Sequence, residues 1–196
     1  MQQTGDSTTK TRSNRFTVLG ILVIFTAPVI FAYSAYFGGW FQGAQVNEGE
    51  LLATPASIES LDLTRADGEA LSLADFNSRW LWIYPQTAPC DAKCELNLYL
   101  LDQSHKAMGK NALRVLQLVV ADQDLALPEL APGVIGARVP GNRLEQELTP
   151  GYLYLSDPLG NIILRYPQIS SQEEAADRSE KMRKDLKRLL KFSRIG

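Results

Sequence analysis

The sequence predicts an α/β domain, a mixed sheet with flanking helices, preceded by one N-terminal transmembrane helix. Three observations carry that expectation. An uncharged apolar run extends from Thr17 to Phe37. Two dense apolar runs, residues 79–84 (RWLWIY) and 113–120 (LRVLQLVV), bracket a segment with helical period. Residues 152–156 and 162–166 flank Asp157-Pro158-Leu159-Gly160, which suits a type I turn with proline at its second position.

Composition narrows the function classes. The 196 residues suffice for one ordinary domain plus extras. Hydrophobic residues at 45% and charged residues at 21% describe a globular rather than a disordered chain. A net charge of −2 argues against nucleic-acid binding, which wants a basic face. Two cysteines exclude a disulfide-stapled scaffold and a four-thiolate zinc site. A single histidine excludes any site built on two imidazoles. Charge is unevenly placed. Lys10, Arg12 and Arg15 stand against Asp6 at the start. Near the end, Lys181, Arg183, Lys184, Lys187, Arg188, Lys191 and Arg194 face only Glu180 and Asp185, which leaves the body between them acidic. The basic terminal helix suits self-complementary packing, anionic lipid or an acidic partner, its ordinary role being to cover the sheet with a solvated face.

The run 17–37 is long enough for a membrane: 21 residues at about 1.5 Å each span roughly 31 Å, the thickness of a hydrocarbon core. Pro28 is tolerable in such a helix. Tyr33, Tyr36, Phe37 and Trp40 gather at one end, where an aromatic belt belongs. Basic residues precede the run and none follows it closely. The positive-inside rule then makes 1–16 a cytoplasmic tail and carries the rest across. The rival, a cleaved signal peptide, fits less well, because the run is long and Ala32 and Ala35 make a poor cleavage site beside tyrosines.

Residues 38–56 read as a glycine-bearing tether, and 57–196 as the folded domain. Leu61, Leu63, Leu71 and Leu73 around Ala66-Asp67-Gly68 predict a β-hairpin. Residues 79–84 predict a buried strand. Residues 91–108 predict a helix with Cys94, Leu98, Leu101 and His105 in one stripe. Residues 113–120 predict a second buried strand. Pro128, Pro132, Gly133, Gly136, Pro140 and Gly141 mark an irregular region. Two strands follow, then a helix over 172–193 with Met182, Leu186, Leu189 and Leu190 on its apolar face. Strand–helix–strand implies a parallel pair with a right-handed crossover. The tight turn at 157–160 implies an antiparallel pair. This order of elements resembles the thioredoxin-like plan.

The chemistry concentrates in Cys90 and Cys94, within Ala88-Pro89-Cys90-Asp91-Ala92-Lys93-Cys94. Cys90 falls at or near a helix N-terminus, where free N–H groups and the dipole favour a thiolate. Lys93 adds positive charge and Asp91 opposes it. Four residues apart on a helix, the sulfurs share a face. Three uses remain open: an exchanging disulfide, a two-thiolate site for Cu(I), and a passive structural bridge.

These segments resemble a known family. RWLWIY, PQTAPCDAKC and TPGYLYLSDPLGNIILRYP with its terminal helix look like the thioredoxin-like superfamily. The Cys-x-x-x-Cys spacing and the anchor resemble Sco-type proteins of cytochrome c oxidase assembly. The layout over roughly residues 47–192 also resembles small membrane proteins associated with bacterial oxidase assembly. The resemblance implies a bacterial inner-membrane protein with a periplasmic domain. It implies, as partner, a respiratory oxidase subunit or another exported cysteine-bearing protein. It also implies Cys90 and Cys94 as ligands of Cu(I). The Sco third ligand, a histidine shortly before the strand at 152–156, is missing from residues 144–151. His105 lies eleven residues past Cys94, about 16 Å along a helix, and cannot share a metal with it. Thr149-Pro150 resembles the cis-proline that thioredoxin-like oxidoreductases set opposite their cysteines, which would leave the preceding carbonyl free for a substrate chain. Unlike thioredoxin, the cysteines are separated by three residues and no tryptophan precedes Cys90.

The expected function is therefore thiol–disulfide exchange in copper-site assembly of cytochrome c oxidase, with Cys90 attacking, Cys94 resolving and Pro150 opposite them. The alternatives are a Cu(I) chaperone using Cys90 and Cys94, and an assembly scaffold with a structural disulfide. Asp122 and Asp124 follow the second buried strand, a common ligand position, although a solvated loop is the ordinary reading. Glu145 and Glu147, near Pro150, are candidates for tuning the thiols.

Overall fold

The computed structural model describes residues 8–40, 47–141 and 143–193. Asp6, Arg194 and tether residues 41–46 lie outside them. The chain forms two compact units, Met1–Val46 and Asn47–Gly196.

Among its described residues the first unit has one helix, α1 (Thr8–Phe37), with Pro28 inside it. Its segment Arg15–Phe37 is long and apolar enough to cross a membrane, and none of its most apolar stretch is buried in protein. One N-terminal apolar helix thus fits a single-pass anchor. Aromatic rings cluster at its C-terminal end, where Phe31 meets Trp40 edge-on at 5.8 Å and Tyr33 stacks on Phe37 at 6.0 Å.

The second unit is a six-stranded mixed sheet with helices against it. Its elements are β1 (Glu50–Ser57), β2 (Trp80–Gln86), α2 (Ala92–Lys106), β3 (Val115–Asp122), β4 (Val134–Val139), α3 (Arg143–Glu147), β5 (Tyr152–Ser156), β6 (Asn161–Pro167) and α4 (Glu173–Phe192). The order across the sheet is β1-β6-β5-β2-β3-β4. β2, β3 and β4 run parallel; β5, β6 and β1 are antiparallel to their neighbours. Alternation along β2 divides the core. Trp80, Trp82 and Tyr84 face α2 and α4, together with Val119, Leu155, Met182 and Leu186. Leu81 and Ile83 face the other layer, with Leu61, Phe76, Leu118 and Leu144. Pro85 is tolerated in this central strand because β5 stops pairing at Ile83.

The turn after β5 forms as expected. The Gly160 N–H donates to the Asp157 carbonyl at 3.0 Å, and the Asp157 carboxylate accepts from the N–H groups of Leu159 and Asn161 at 2.9 Å each. Three expectations are corrected. Residues 50–56, read as tether, belong to β1, because β6 offers an antiparallel edge to pair with. The hairpin around 66–68 shrinks to a single bridge, Thr64 with Ala70, since Thr64 also pairs across to Arg138 and caps the β4 edge. The irregular region contains β4, a parallel strand whose Gly136 and Arg138 hid its alternation.

Candidate functional site

β2 delivers the chain to the site, and the loop 87–91 turns it into α2. Asp91 is the N-cap: its backbone is extended and its carboxylate accepts the Cys94 N–H at 2.9 Å. That bond satisfies one of the donors a helix start leaves open. Cys90 therefore stands before the helix rather than on it. The expectation of two sulfurs on one helical face is corrected, because Asp91 rather than Cys90 makes the cap. The sulfurs meet across the cap instead, in a Cys90–Cys94 disulfide with the Cα atoms 5.1 Å apart.

The two cysteines differ in access. Cys94 is 4% exposed, against the core layer of Trp82 and Leu101, while Cys90 is half-buried. A hollow of about 140 Å³ lies beside Cys94, lined among others by Tyr84, Pro89, Asp91, Lys93, Gly151 and Gln168. A wider one of about 540 Å³ opens beside Cys90, between Glu95 and Leu98 of α2 and residues 128–132. Burial, and then the Asp91 carboxylate, push the Tyr84 hydroxyl up to about 12, so it stays protonated beside the disulfide.

Pro150 does not carry the geometry its resemblance implied. The Thr149–Pro150 peptide is trans, and the Thr149 carbonyl is not free: it accepts the Tyr154 hydroxyl at 2.8 Å. That hydroxyl is buried beside β5 and takes the acceptor within reach. Pro150 still adjoins Gly151, which lines the hollow by Cys94 and whose carbonyl accepts the Gln168 N–H at 2.9 Å.

The other candidates separate from the cysteines. Glu145 lies near Asp122, not in either hollow beside the disulfide. With Asp124 it adds to the burial that raises the Asp122 carboxyl above its ordinary value. One Asp122 oxygen is buried without a partner. Glu147 is exposed on the outer layer and accepts the Ser60 hydroxyl at 3.3 Å. His105 sits two carbonyls deep, its Nε2 3.0 Å from the oxygens of Ala112 and Val115, and ties α2 to the start of β3. Among the described residues no group of three histidine, cysteine or acidic side chains is placed to hold a metal. Reduced, the two sulfurs would offer Cu(I) two soft donors and no third, and the closed disulfide offers no thiolate.

Two residues that sequence reasoning missed hold the site's surroundings. Asn97, fully buried, pairs with the Ile169 backbone in both directions at 2.9 Å and fastens α2 to the loop after β6. Asp185, fully buried on α4, accepts from the N–H groups of Glu48 and Gly49 and from the Tyr166 hydroxyl at 3.0, 2.8 and 2.9 Å. A polar residue at a helix position otherwise apolar, as at Asn97 between Cys94 and Leu101, is the one signal available for both.

No curated protein matches the chain. Solved structures share its fold. Yeast Sco1 with copper bound superposes with a TM-score of 0.53 at 14% identity, over 72% of this chain and 94% of that one. Arabidopsis thaliana ScoI with copper bound gives 0.51 at 16% identity, over 69% and 98%. Apo Sco1 of Thermus thermophilus gives 0.51 at 17%, over 75% and 99%. At such identities the likeness is one of fold. In sequence, residues 80–193 match the family described as transmembrane-like, thioredoxin-like, C-terminal domain. That match spans more than half of the chain, from β2 through the disulfide to α4, and follows one apolar membrane-length helix, so the chain belongs to this transmembrane-like, thioredoxin-like family.

Proposed function

We propose that the chain is a membrane-anchored thiol–disulfide exchange factor that acts on an exported cysteine-bearing client, a copper-site subunit of a respiratory oxidase. The observation that carries it is the unequal access of one disulfide: Cys90 open to a hollow, Cys94 buried at the third position of α2. In the reducing direction the Cys90 thiolate attacks a client disulfide, one client sulfur leaves as thiolate, and a mixed disulfide forms. Cys94, as thiolate, then attacks the Cys90 sulfur and releases the second client thiolate. The client disulfide is reduced and the Cys90–Cys94 bond is formed. The described state is the oxidised product, and an external dithiol reductant returns it to the start. Client thiols run the same steps backwards. Gly151, next to Pro150, lines the hollow beside Cys94. The oxidase client and the placement in a bacterial inner membrane, with the domain in the periplasm, rest on the resemblance to Sco-type proteins and on the basic residues before the apolar run.

The copper reading has its own support: two sulfurs whose Cα atoms are 5.1 Å apart, and a fold shared with Sco structures that hold copper. Cu(I) would then be cargo, with the third ligand from the partner. One experiment separates the readings. The full chain in detergent micelles is equilibrated with glutathione buffers, then reduced and titrated anaerobically with Cu(I) beside a Cys90→Ser, Cys94→Ser double variant. Reversible exchange without copper uptake supports the exchange factor. Tight one-to-one copper binding that the double variant lacks favours the carrier. A disulfide inert to glutathione, with no copper binding on forced reduction, leaves a scaffold.

A further inference from the structure

Parallel strands need a crossover, and a helix normally supplies it. Between β2 and β3 the crossover is α2. Between β3 and β4 it is residues 123–133, which form no helix. That segment is nonetheless fixed. Gly136 on β4 leaves room for Leu127 and Leu130, whose methyl groups stand 3.0 and 2.9 Å from where a Cβ would be. Arg138 donates to the carbonyls of Gln123 and Leu125 at 2.8 and 2.5 Å, and Gln86 donates to that of Ala126 at 3.0 Å. With no crossover helix on the β4 side of α2, a groove of about 210 Å³ remains, lined by Val119, Val134, Leu98, Tyr99 and Leu130. It continues past Leu98 and Leu130 into the hollow that holds Cys90. The charged side chains along both are acidic: Glu95, Glu129 and Asp102, the last paired to Lys106 at 2.6 Å.

We propose that this groove seats an extended client polypeptide that sets a cysteine against Cys90 and an apolar side chain between α2 and the crossover, with a basic residue facing Glu95 or Glu129. The inference rests on the exchange reading of the disulfide and names the class of sequence it would act on. Continuity with Cys90 fixes one end, and the run of carboxylates selects the charge. The Cα atoms of Cys90 and Cys94 are 5.1 Å apart and Leu98 lies four helical positions, about 6 Å, further on, so Leu98 is within about 11 Å of Cys90. An extended chain covers that in about four residues. The preferred client segment therefore carries a leucine-sized residue about four positions from its cysteine, with Lys or Arg nearby.

The test uses the oxidised full chain in nanodiscs of zwitterionic lipid and three synthetic peptides. The first has a cysteine, a leucine four residues away and flanking arginines. The second replaces leucine by serine, and the third replaces the arginines by glutamates. In the reaction a peptide thiolate attacks the Cys90 sulfur, the Cys90–Cys94 bond breaks, and Cys94 leaves with the electron pair as a thiolate. The rate of mixed-disulfide formation is read by mass. The first peptide should react about tenfold faster than the other two, the scale set by burying one apolar side chain and by charge steering. Tyr99→Ser should bring the ratio of the first peptide to the second to near one and Glu129→Lys the ratio of the first to the third, and because each is a ratio within one variant, altered reactivity of Cys90 does not enter it. A dye-labelled copy of the first peptide with serine for cysteine should bind the wild type and not Glu129→Lys, which reads the groove without sulfur chemistry. Equal rates for all three peptides, with glutathione still reacting, overturn the groove and leave exchange standing. No reaction with glutathione or any peptide overturns the exchange reading, and absence of the dye-labelled complex then overturns the groove separately. A dimer that Tyr99→Ser dissolves would make a second copy the occupant and overturn the proposal.

Discussion

At Asp91 one carboxylate does two things. It accepts the Cys94 N–H and so starts α2, and it adds negative charge beside Tyr84 and the disulfide. The two effects separate by substitution. Asp91→Ala should cost about 1 kcal/mol in the thermal or urea unfolding of the full chain in micelles, the usual loss of a cap. Asp91→Asn should keep most of that and lower the Tyr84 titration seen by tyrosinate absorbance, while burial, the larger cause, keeps it above 10.0. Asp122 works in the opposite direction. Burial, Glu145 and Asp124 raise its folded pKa above the unfolded value, so its ionised form opposes folding at neutral pH. Asp122→Asn should therefore raise the unfolding midpoint at pH 7. The gain should shrink as pH falls through the folded pKa and vanish below the unfolded value of 3.8. A gain that persists in acid would show that its cause is not the charge.

At the scale of elements, the disulfide clips a helix start to the residue before its cap and joins residues only four apart in sequence. So short a loop constrains the unfolded chain weakly, and reduction should lower stability by at most about 2 kcal/mol. Calorimetry with and without reductant checks this; a collapse of the fold on reduction would favour the structural bridge over exchange. The junction of α4 with the residues before β1 depends far more on one side chain. Asp185→Ala would strand three donors, on Glu48, Gly49 and Tyr166, and should cost about 3 kcal/mol or more. Asp185→Asn, which keeps one acceptor, should cost less. Around it, Glu48 pairs with Lys184 and Glu50 with Arg165, which holds both carboxyls below their ordinary values. The support they give is present above the unfolded pKa of 4.5 and is lost as pH falls through the folded values. Acid should thus loosen this edge of the sheet first, visible as early amide exchange in β1.

For the whole molecule, the chain divides into one apolar helix of membrane length and a separate thioredoxin-like unit. A chain lacking residues 15–37 should appear in the soluble fraction after cell lysis, whereas the full chain should resist carbonate extraction. After reduction in intact spheroplasts, a membrane-impermeant maleimide should label Cys90, as the proposed orientation requires; protection until lysis would reverse it. The sequence by itself determined the helix at 17–37, the strands around RWLWIY and LRVLQLVV, the turn at 157–160 and the terminal helix, since each rests on period, run length or turn chemistry over a few neighbours. It also singled out Cys90 and Cys94 by their spacing after a buried strand, and the structure joins them in a disulfide. Long-range pairing decided the rest. β1 and β4 exist because β6 and β3 offer edges, a fact no local pattern holds. The Thr149 carbonyl before Pro150 is taken by a tyrosine hydroxyl five residues on. Asn97 and Asp185 are buried because backbone donors and acceptors 72 and 136 positions away need partners. The unequal access of the two sulfurs, and the groove beside them, arise only when α2, the sheet and the crossover are packed together.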